Sequence, residues 1–559
     1  MTTKDALLAV LDGSGQEHIL ADYDNLSTAE QLILAAQVTS FSAAQWKHMN
    51  AMLKDSLDHL NKSNGSASAA AAKDPSITPP PAATIFHLPK LLAEGSAEVA
   101  TIRAAGMHVI ARGEGAALLM AGGSGTRLGV TIPKGLFHCD LLPSGRSLFE
   151  YHCNRVRKME QMAAAWARDS QVAVPPGAET TGRGLLHLLV MTSDQNDAAT
   201  KAFFCEHNYF GLRPDQVLFF RQSSLPCYDE KTGKVLMEEK GKICVAPGGN
   251  GGLYESLVRT PTAAALASSK SEQGVLAQIQ MRGVRYVQIF SVDNILAKLG
   301  DPYFFGVAAA RQAEVVVKTV PKASAEERVG VFALTDGEWG VVEYTEIGTE
   351  RALQRDDVSG ELAYNCGNIA SHCCSVDFLK LAAKDMQTST FYHAARKNIA
   401  TVNGIVPAIK MEAFIFDEFK LAKQVPTRPH GGGDRLDAFQ IMQVDRNAEF
   451  APIKNAEGAA TDTATTAADL VLQLHTKWVA EAVMAAPEAL GTGEEGYSVQ
   501  DRATALQRLR EGLCQWEINP LVSYEGEGLT PLAPQLIRRS LTGEGVLSLE
   551  ETAQNRANM

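Results

Sequence analysis

Residues 118–134 read LLMAGGSGTRLGVTIPK, an apolar run that leads directly into a loop with glycine at positions 122, 123, 125 and 129. Glycine tolerates positive φ and a close approach to the backbone, so successive N–H groups of such a loop can converge on phosphate oxygens. Two cations, Arg127 and Lys134, lie in the same stretch. The stretch predicts a strand followed by an anion-binding loop, with a simple tight turn as the alternative.

The spacing of this loop argues against two common phosphate-binding motifs. The sequence G-x-x-x-x-G-K-[ST] is absent from it, and Leu128 stands where G-x-G-x-x-G requires its third glycine. Neither a P-loop ATPase nor a Rossmann dehydrogenase is therefore supported.

Further apolar runs extend the same pattern along the chain, at 117–121, 185–192, 217–222 and 286–294, with helical patterns between them. Continuous apolar runs are typical of parallel strands that are buried on both faces. They predict an α/β fold with a doubly wound, Rossmann-like central sheet. Three runs between about 314 and 346, separated by short turns, predict antiparallel strands added beside that sheet, so the sheet should be mixed.

We predict three parts in the chain. A helical N-terminal region covers about 1–110, a catalytic α/β domain about 111–450, and a small C-terminal α+β domain about 451–559. Within the first part, Ser27 and Thr28 are candidate helix caps ahead of Glu30. The segment 61–83 is rich in Ser, Ala and Pro, which indicates a low-complexity loop.

Composition narrows the class of protein. The chain has 559 residues, of which 45% are hydrophobic and 21% charged, as in globular proteins. Its net charge of −12 argues against a surface built to bind nucleic acid. The sequence contains no run of about 18 apolar residues, so a membrane span is not indicated. We expect a cytoplasmic protein, with an organellar address left open, and of the oligomeric states we favour a monomer.

The nine cysteines include no C-x-x-C pair. This pattern gives neither a disulfide framework nor a zinc ribbon, so we expect reduced and mostly buried thiols.

Seven blocks of the sequence, taken together, resemble the eukaryotic uridylyltransferases, and most closely the UDP-N-acetylglucosamine (UDP-N-acetylhexosamine) pyrophosphorylases. They begin with the glycine loop and continue in the same order along the chain: GGSGTRLG with PKG, PGGNGGLY, VDNIL, NCGNI, KME, EFAPIKN, and INPL with SYEGEG. One departure is Ala413, which stands where the family usually has Lys. Any one block would be weak evidence, but the ordered set is specific.

The resemblance implies a reaction that joins UTP to N-acetylglucosamine 1-phosphate and releases pyrophosphate. Two anions must then be brought together, and one cation at about 4 Å is worth roughly 4 kcal/mol at an effective dielectric constant near 20. The cations implied as catalytic are Arg127, Lys134 and Lys454. Asp293, at the end of a predicted strand, would hold Mg²⁺ between phosphate groups.

The same resemblance implies two recognition sites. The nucleotide would be bound by Gly122, Gly123, Gln222, Gly249, Asn250 and Asp293. The amino sugar would be bound by Gly330, Glu343, Asn368 and Lys410, with Asn365 nearby.

Each motif also has a purely structural interpretation. Asp293 suits a helix cap, the GGNGG run suits a turn, and buried asparagines usually satisfy nearby backbone groups. Two other functions stay open: a UDP-glucose or broad-specificity UDP-sugar pyrophosphorylase, and, more remotely, a non-catalytic sensor of sugar nucleotides.

Overall fold

The structure is a computed structural model. It describes residues 3–64, 76–123, 125–176, 178, 179, 182, 184–259, 274–386, 392–424, 438–490 and 496–551.

The strands of the described residues are β1 (Ile77–Thr78), β2 (Ile85–His87), β3 (Gly115–Met120), β4 (Leu186–Thr192), β5 (Val217–Arg221), β6 (Ser224–Pro226), β7 (Tyr228–Asp229), β8 (Met237–Glu239), β9 (Lys242–Ile243), β10 (Val245–Pro247), β11 (Tyr286–Ser291), β12 (Val315–Val320), β13 (Val331–Thr335), β14 (Glu338–Val342), β15 (Gly367–Ser375), β16 (His393–Thr401), β17 (Gly404–Glu412), β18 (Phe439–Gln443), β19 (Cys514–Ile518) and β20 (Gly545–Leu549).

The α-helices of the same residues are α1 (Lys4–Leu11), α2 (Thr28–Val38), α3 (Ala43–Asn64), α4 (Leu88–Ala93), α5 (Ala97–Ala111), α6 (Leu148–Asp169), α7 (Asp197–Glu206), α8 (Leu253–Val258), α9 (Val275–Met281), α10 (Pro302–Ala310), α11 (Thr349–Leu353), α12 (Val376–Asp385), α13 (Arg446–Glu449), α14 (Ala464–Ala485), α15 (Val499–Arg510) and α16 (Ala533–Thr542).

A central sheet organises the molecule, with the strand order β2-β18-β12-β15-β11-β3-β4-β5. Along this path the strands are parallel to their neighbours except β15, which runs antiparallel to both β11 and β12. The four apolar runs predicted as parallel strands are β3, β4, β5 and β11, which lie side by side in it. The α/β prediction with a mixed sheet is confirmed.

Both faces of this sheet are buried, as the continuous apolar runs require. On β3, Ala116 and Leu118 point into one core, while Ala117 and Leu119 point into a second core on the opposite face. The first core is shared with the N-terminal helices, through residues such as Leu7. The second core is shared with α5, α6 and α10. Helical layers therefore cover the sheet on both sides.

The prediction that the three runs near 314–346 form antiparallel strands beside the sheet is wrong about the place of the first of them. β12 lies inside the sheet, antiparallel to β15 and parallel to β18, while β13 and β14 form an antiparallel hairpin. All six residues of β12 are buried. A strand that is buried on both faces is typical of the interior of a sheet. This holds for β12 although the hairpin of β13 and β14 follows it in the sequence.

The N-terminal part is helical as predicted, and Ser27 caps α2 in a reciprocal capping box with Glu30. The loop predicted at 61–83 is only partly correct, because α3 continues to Asn64 and β1 pairs with β13. Residues 65–75 of that segment lie outside the described part of the chain.

A third, smaller core lies near the C-terminus, where the parallel strands β19 and β20 pack with α14, α15 and α16. This is the predicted α+β arrangement. The boundaries at 110 and 450 stay predictions. Among the described residues, no helix is long and apolar enough to cross a membrane.

The prediction that the cysteines are mostly buried is confirmed. Of the nine, all except Cys205 are buried.

Candidate active site at the carboxyl ends of the central strands

The glycine loop follows β3 at the carboxyl edge of the sheet, which is where ligands of open α/β sheets bind. Lys134 begins a short 3₁₀ turn after this loop, and its backbone N–H donates to the carbonyl oxygen of Gly123 at 3.4 Å. Arg127 lies exposed on the 3₁₀ turn Thr126–Leu128 and forms no ion pair within the described residues. The loop thus presents one tethered cation and one exposed cation.

Asp293 lies two residues beyond β11, the neighbour of β3, and its carboxylate faces the glycine loop. The Nζ atom of Lys134 donates to Asp293 Oδ2 at 2.9 Å, and both side chains are largely buried, at 15% and 10% exposure. The other carboxylate oxygen, Oδ1, is buried and has no hydrogen-bond partner in the described structure. The structural alternative of a helix cap is not what is observed.

This carboxylate fits a magnesium ion. Mg²⁺ takes one or two carboxylates and completes its shell with water and phosphate oxygens, so a single buried oxygen without a partner is a suitable ligand. The described residues contain no cluster of three or more His, Cys, Asp or Glu side chains suited to a metal. A fully protein-ligated site such as structural zinc is therefore not indicated there.

The residues just before Lys454 are bonded to the backbone at Asp293 and Asn294. Ile453 donates its N–H to the carbonyl of Asp293 at 2.9 Å, and Pro452 forms a β-bridge with Asn294. The Lys454 ammonium lies 5.5 Å from the ring centroid of Phe450. The segment that carries Lys454 is thus held directly beside Asp293.

The residues predicted to bind the nucleotide base also come together. Gly122 lies against Gln222 so closely that a Cβ atom at position 122 would be 2.6 Å from Gln222 Oε1. Gly249 has φ +82° and lies against the backbone of Ala413. Asn250 accepts from the N–H of Ile415 at 3.1 Å, which gives its side chain a structural role as well.

A second group of predicted residues surrounds Glu343, in the part of the sheet where β13 pairs with β14 and β15. The N–H of Asn368 donates to the carbonyl of Gly330 at 2.9 Å, and a Cβ atom at Gly330 would be 3.0 Å from Glu343 Oε1. Burial raises the pKa of the Glu343 carboxyl, and repulsion from Glu346 raises it further. Three of the four predicted sugar-binding residues are therefore neighbours.

Two predicted residues have other contacts. Lys410 lies on β17, in a separate sheet formed by β16, β17 and β7, and pairs with Glu412 at 2.6 Å. Asn365 accepts from the N–H of Lys322 at 2.8 Å, as the structural interpretation of the asparagines predicts.

A cavity of about 350 Å³ opens beside Glu343. Its lining includes His393 and Asp417, neither of which was predicted from the sequence, together with Phe414. His393 Nε2 lies 3.0 Å from Asp417 Oδ1. No local pattern signals these residues, because β16 and the segment after β17 meet the β14 region only in the folded chain.

His372 is a packing residue. It is buried between Phe332 and Phe419, and burial lowers its pKa to about 3, so it is neutral at physiological pH.

A mixed α/β sheet with helices on both faces, a glycine loop after β3 and a carboxylate at the end of the adjacent strand define a protein of the nucleotidyltransferase class. The chain belongs to the UTP–glucose-1-phosphate uridylyltransferase family, whose model matches residues 66–483.

Relatives with assigned names resemble the chain over most of its length. The solved structure of the uridine diphosphate N-acetylglucosamine pyrophosphorylase from Trypanosoma brucei, in complex with an inhibitor, is 40% identical, covers 99% of both chains and superposes with a TM-score of 0.83. UDP-N-acetylhexosamine pyrophosphorylase-like protein 1 from Xenopus tropicalis is 33% identical and covers 92% of this chain and 91% of its own. UDP-N-acetylglucosamine diphosphorylase 1 from Arabidopsis thaliana is 36% identical, over 76% of this chain and 73% of that protein.

Proposed function

We propose that the protein is a uridylyltransferase that converts UTP and N-acetylglucosamine 1-phosphate into UDP-N-acetylglucosamine and pyrophosphate. The observation that carries the proposal is the Lys134–Asp293 pair at the glycine loop, in a chain that is 40% identical over 99% of its length to a UDP-N-acetylglucosamine pyrophosphorylase. We expect it to act in the cytoplasm as a monomer.

The reaction is a direct displacement at phosphorus. An oxygen of the sugar phosphate forms a bond to the α-phosphorus of UTP while the bond to the pyrophosphate oxygen breaks in line with it. The attacking oxygen is already ionised, so no general base is needed, and the neutral, buried His372 is not required for proton transfer. The work of the protein is to position two anions and to offset their repulsion.

The cations of the site supply this offset. The glycine-loop amides hold the nucleotide phosphates, while Lys134 and Arg127 place positive charge on them. Lys454, on the segment that is hydrogen-bonded to the Asp293 backbone, adds a further positive charge. Asp293 would hold Mg²⁺ through its partnerless Oδ1, and such an ion would supply positive charge to the phosphate groups.

Substrate recognition is divided between the two residue groups. Gln222 and the backbone of Gly249 bind uracil, because an amide side chain can donate to a carbonyl of the base and accept from its N3–H. Asn250 reaches the sugar of the nucleotide. Glu343, Asn368 and the open space at Gly330 accommodate the amino sugar, with Lys410 on its phosphate.

The test is pyrophosphate release from UTP with a panel of sugar 1-phosphates, with and without Mg²⁺. We expect the highest kcat/KM with N-acetylglucosamine 1-phosphate and loss of activity on chelation. Equal or better turnover of glucose 1-phosphate would favour the second candidate, a UDP-glucose or broad-specificity UDP-sugar pyrophosphorylase, which the description of the matching family supports. Binding of UTP without any turnover would favour the remaining candidate, a non-catalytic sensor of sugar nucleotides.

A further inference from the structure

Asn294 follows Asp293 in the chain and is buried, with 5% of its surface exposed. Its side chain uses both ends of the amide group. Nδ2 donates to the carbonyl of Glu449 at 2.7 Å, and Oδ1 accepts from the N–H of Ala451 at 2.9 Å. Oδ1 also accepts from the N–H of Leu296 at 3.2 Å, which forms a local turn. One side chain therefore joins the end of β11 to a segment about 155 residues away in the sequence.

Backbone hydrogen bonds continue this connection on both sides. The N–H of Ile295 donates to the carbonyl of Ala451 at 3.2 Å, and the N–H of Ile453 donates to the carbonyl of Asp293 at 2.9 Å. Lys454 is the next residue. These hydrogen bonds form a ladder that fixes the position of Lys454 relative to Asp293. Asn294 supplies the side-chain bonds of this ladder.

Glu449, on the second segment of the ladder, belongs to a buried group of charged side chains. The carboxylate of Glu449 accepts from Lys318 Nζ at 2.5 Å, and Lys318 also pairs with Asp301 at 2.5 Å. Lys298 lies 3.7 Å from the other Glu449 oxygen. Lys318, Asp301 and Glu449 are each at most 4% exposed on their side chains.

Such a group resists displacement. Moving Glu449 away would leave Lys318 partly unpaired in the interior, and an uncompensated buried charge is strongly unfavourable. The group fixes Glu449, and Glu449 through its carbonyl fixes Asn294.

We propose that Asn294 is a positioning residue, which holds Lys454 in register with Asp293 so that the ammonium and the carboxylate face the same phosphate groups. This inference rests on the proposed function. Displacement at phosphorus depends on alignment, and a misplacement of about 1 Å can cost roughly 10²-fold in rate.

The first test is Asn294→Ala. We expect kcat to fall by about 10²-fold, while KM for UTP and for the sugar phosphate changes little, because the residues that bind base and sugar lie elsewhere. Asn294→Ser is the companion variant, since a hydroxyl can keep the local turn bond to Leu296 but cannot span the distance to Glu449 and Ala451. Asn447→Ala, an exposed asparagine on the same segment, is the matched control and should leave kcat unchanged.

A double-mutant cycle separates positioning from general damage to the fold. If Asn294 acts through Lys454, the double variant Asn294→Ala/Lys454→Ala should be no slower than Lys454→Ala alone. Hydrogen exchange provides a readout independent of turnover. The amides of Ala451 and Ile453 should exchange faster in Asn294→Ala and at the normal rate in Asn447→Ala.

Wild-type kcat in both Asn294 variants, or losses that multiply in the double variant, would overturn the inference. Unchanged exchange at Ala451 and Ile453 would overturn it as well. Failure of the proposed function gives a different result: the wild-type protein would release no pyrophosphate with any sugar 1-phosphate, while the exchange experiment would still report on the ladder.

Discussion

The ammonium of Lys134 pairs with the carboxylate of Asp293 at 2.9 Å. We expect Lys134→Ala to lower kcat by roughly 10²–10³-fold, since it removes one well-placed donor to the charge that develops on the phosphates. Steady-state pyrophosphate release measures this, with the exposed Lys240→Ala as control. Near-normal turnover in Lys134→Ala would assign the role to another cation.

His393 gives a pH prediction. Burial by itself would lower its pKa, but the hydrogen bond and charge of Asp417, with Glu346 and Glu412, outweigh burial and raise the pKa above its usual value. A raised pKa in the folded state adds stability that is present below about pH 6.5 and is lost as the pH rises through the folded-state pKa. The Tm difference between wild type and His393→Gln should therefore be larger near pH 6 than near pH 9. A difference that does not vary with pH would contradict this.

At the residue scale, the roles of the candidate residues stay predictions, and only their placement in the fold can be compared with the sequence. The closeness of Lys134 and Asp293 was predictable, because one ends a glycine loop and the other ends an apolar strand at the same edge of a parallel sheet. His393 was not, since its contact with Asp417 and its place beside Glu343 depend on a sheet that the local pattern does not reveal. Asn365 and Asn368 stand three residues apart, and only the fold shows that Asn365 bonds to the backbone of Lys322.

At the scale of elements, two irregular segments lie in close backbone contact. One is the loop after β10 and the other is the segment after β17. The N–H of Ala413 donates to the carbonyl of Gly248 at 2.8 Å, and the N–H of Gly251 donates to the carbonyl of Ala413 at 2.9 Å. A Cβ atom at Gly249 would be 2.2 Å from that same carbonyl oxygen. Both bonds use the backbone of Ala413, so they do not depend on the side chain at this position.

We expect Gly249→Ala to separate the two segments, raising KM for UTP and lowering Tm. Gly283→Ala is the matched control, because Gly283 has a similar φ of +86° and a Cβ atom added there would have no neighbour within 4 Å. The control carries only the strain of a left-handed residue, roughly 1–2 kcal/mol. Equal Tm losses and an unchanged KM in both variants would show that the close contact has no consequence.

Strand existence was predictable at this scale and strand pairing was not. β3, β4, β5 and β11 each read as continuous apolar runs because both faces of the sheet are buried. The same reasoning failed for β12, whose partners β15 and β18 come 47 and 119 or more residues later in the chain. A pairing over that distance leaves no trace in the spacing of apolar residues.

Across the whole molecule, Glu517 joins the C-terminal part to the segment that follows the glycine loop. Its side chain is fully buried and accepts from the N–H of Ser144 at 2.8 Å and from the hydroxyl of Tyr151. Arg146 lies 3.6 Å away. The contact ties β19 to the start of α6, which packs close to Gly135 through Phe149.

Glu517→Ala should therefore destabilise the protein by about 1–3 kcal/mol, because it leaves the N–H of Ser144 and the buried hydroxyl of Tyr151 without their acceptor, while Arg146 keeps its pairs with Glu150 and Glu550. Denaturant unfolding measures the loss. Glu488→Ala, which removes an exposed carboxylate in the same part of the chain, should change stability by less than about 0.5 kcal/mol. A small effect at Glu517 would mean that the two parts are held together by apolar packing instead.

The position of β15 between β11 and β12 constrains how the protein is made. Until β15 leaves the ribosome, the edges of β11 and β12 that it will join have no partner, and 46 residues separate Val320 from Gly367. At translation rates of about 5–20 residues per second, this interval lasts roughly 2–9 s. During each round of synthesis the nascent chain must therefore wait with the backbone edges of two apolar strands unpaired, a period in which chaperones would have their greatest effect on yield.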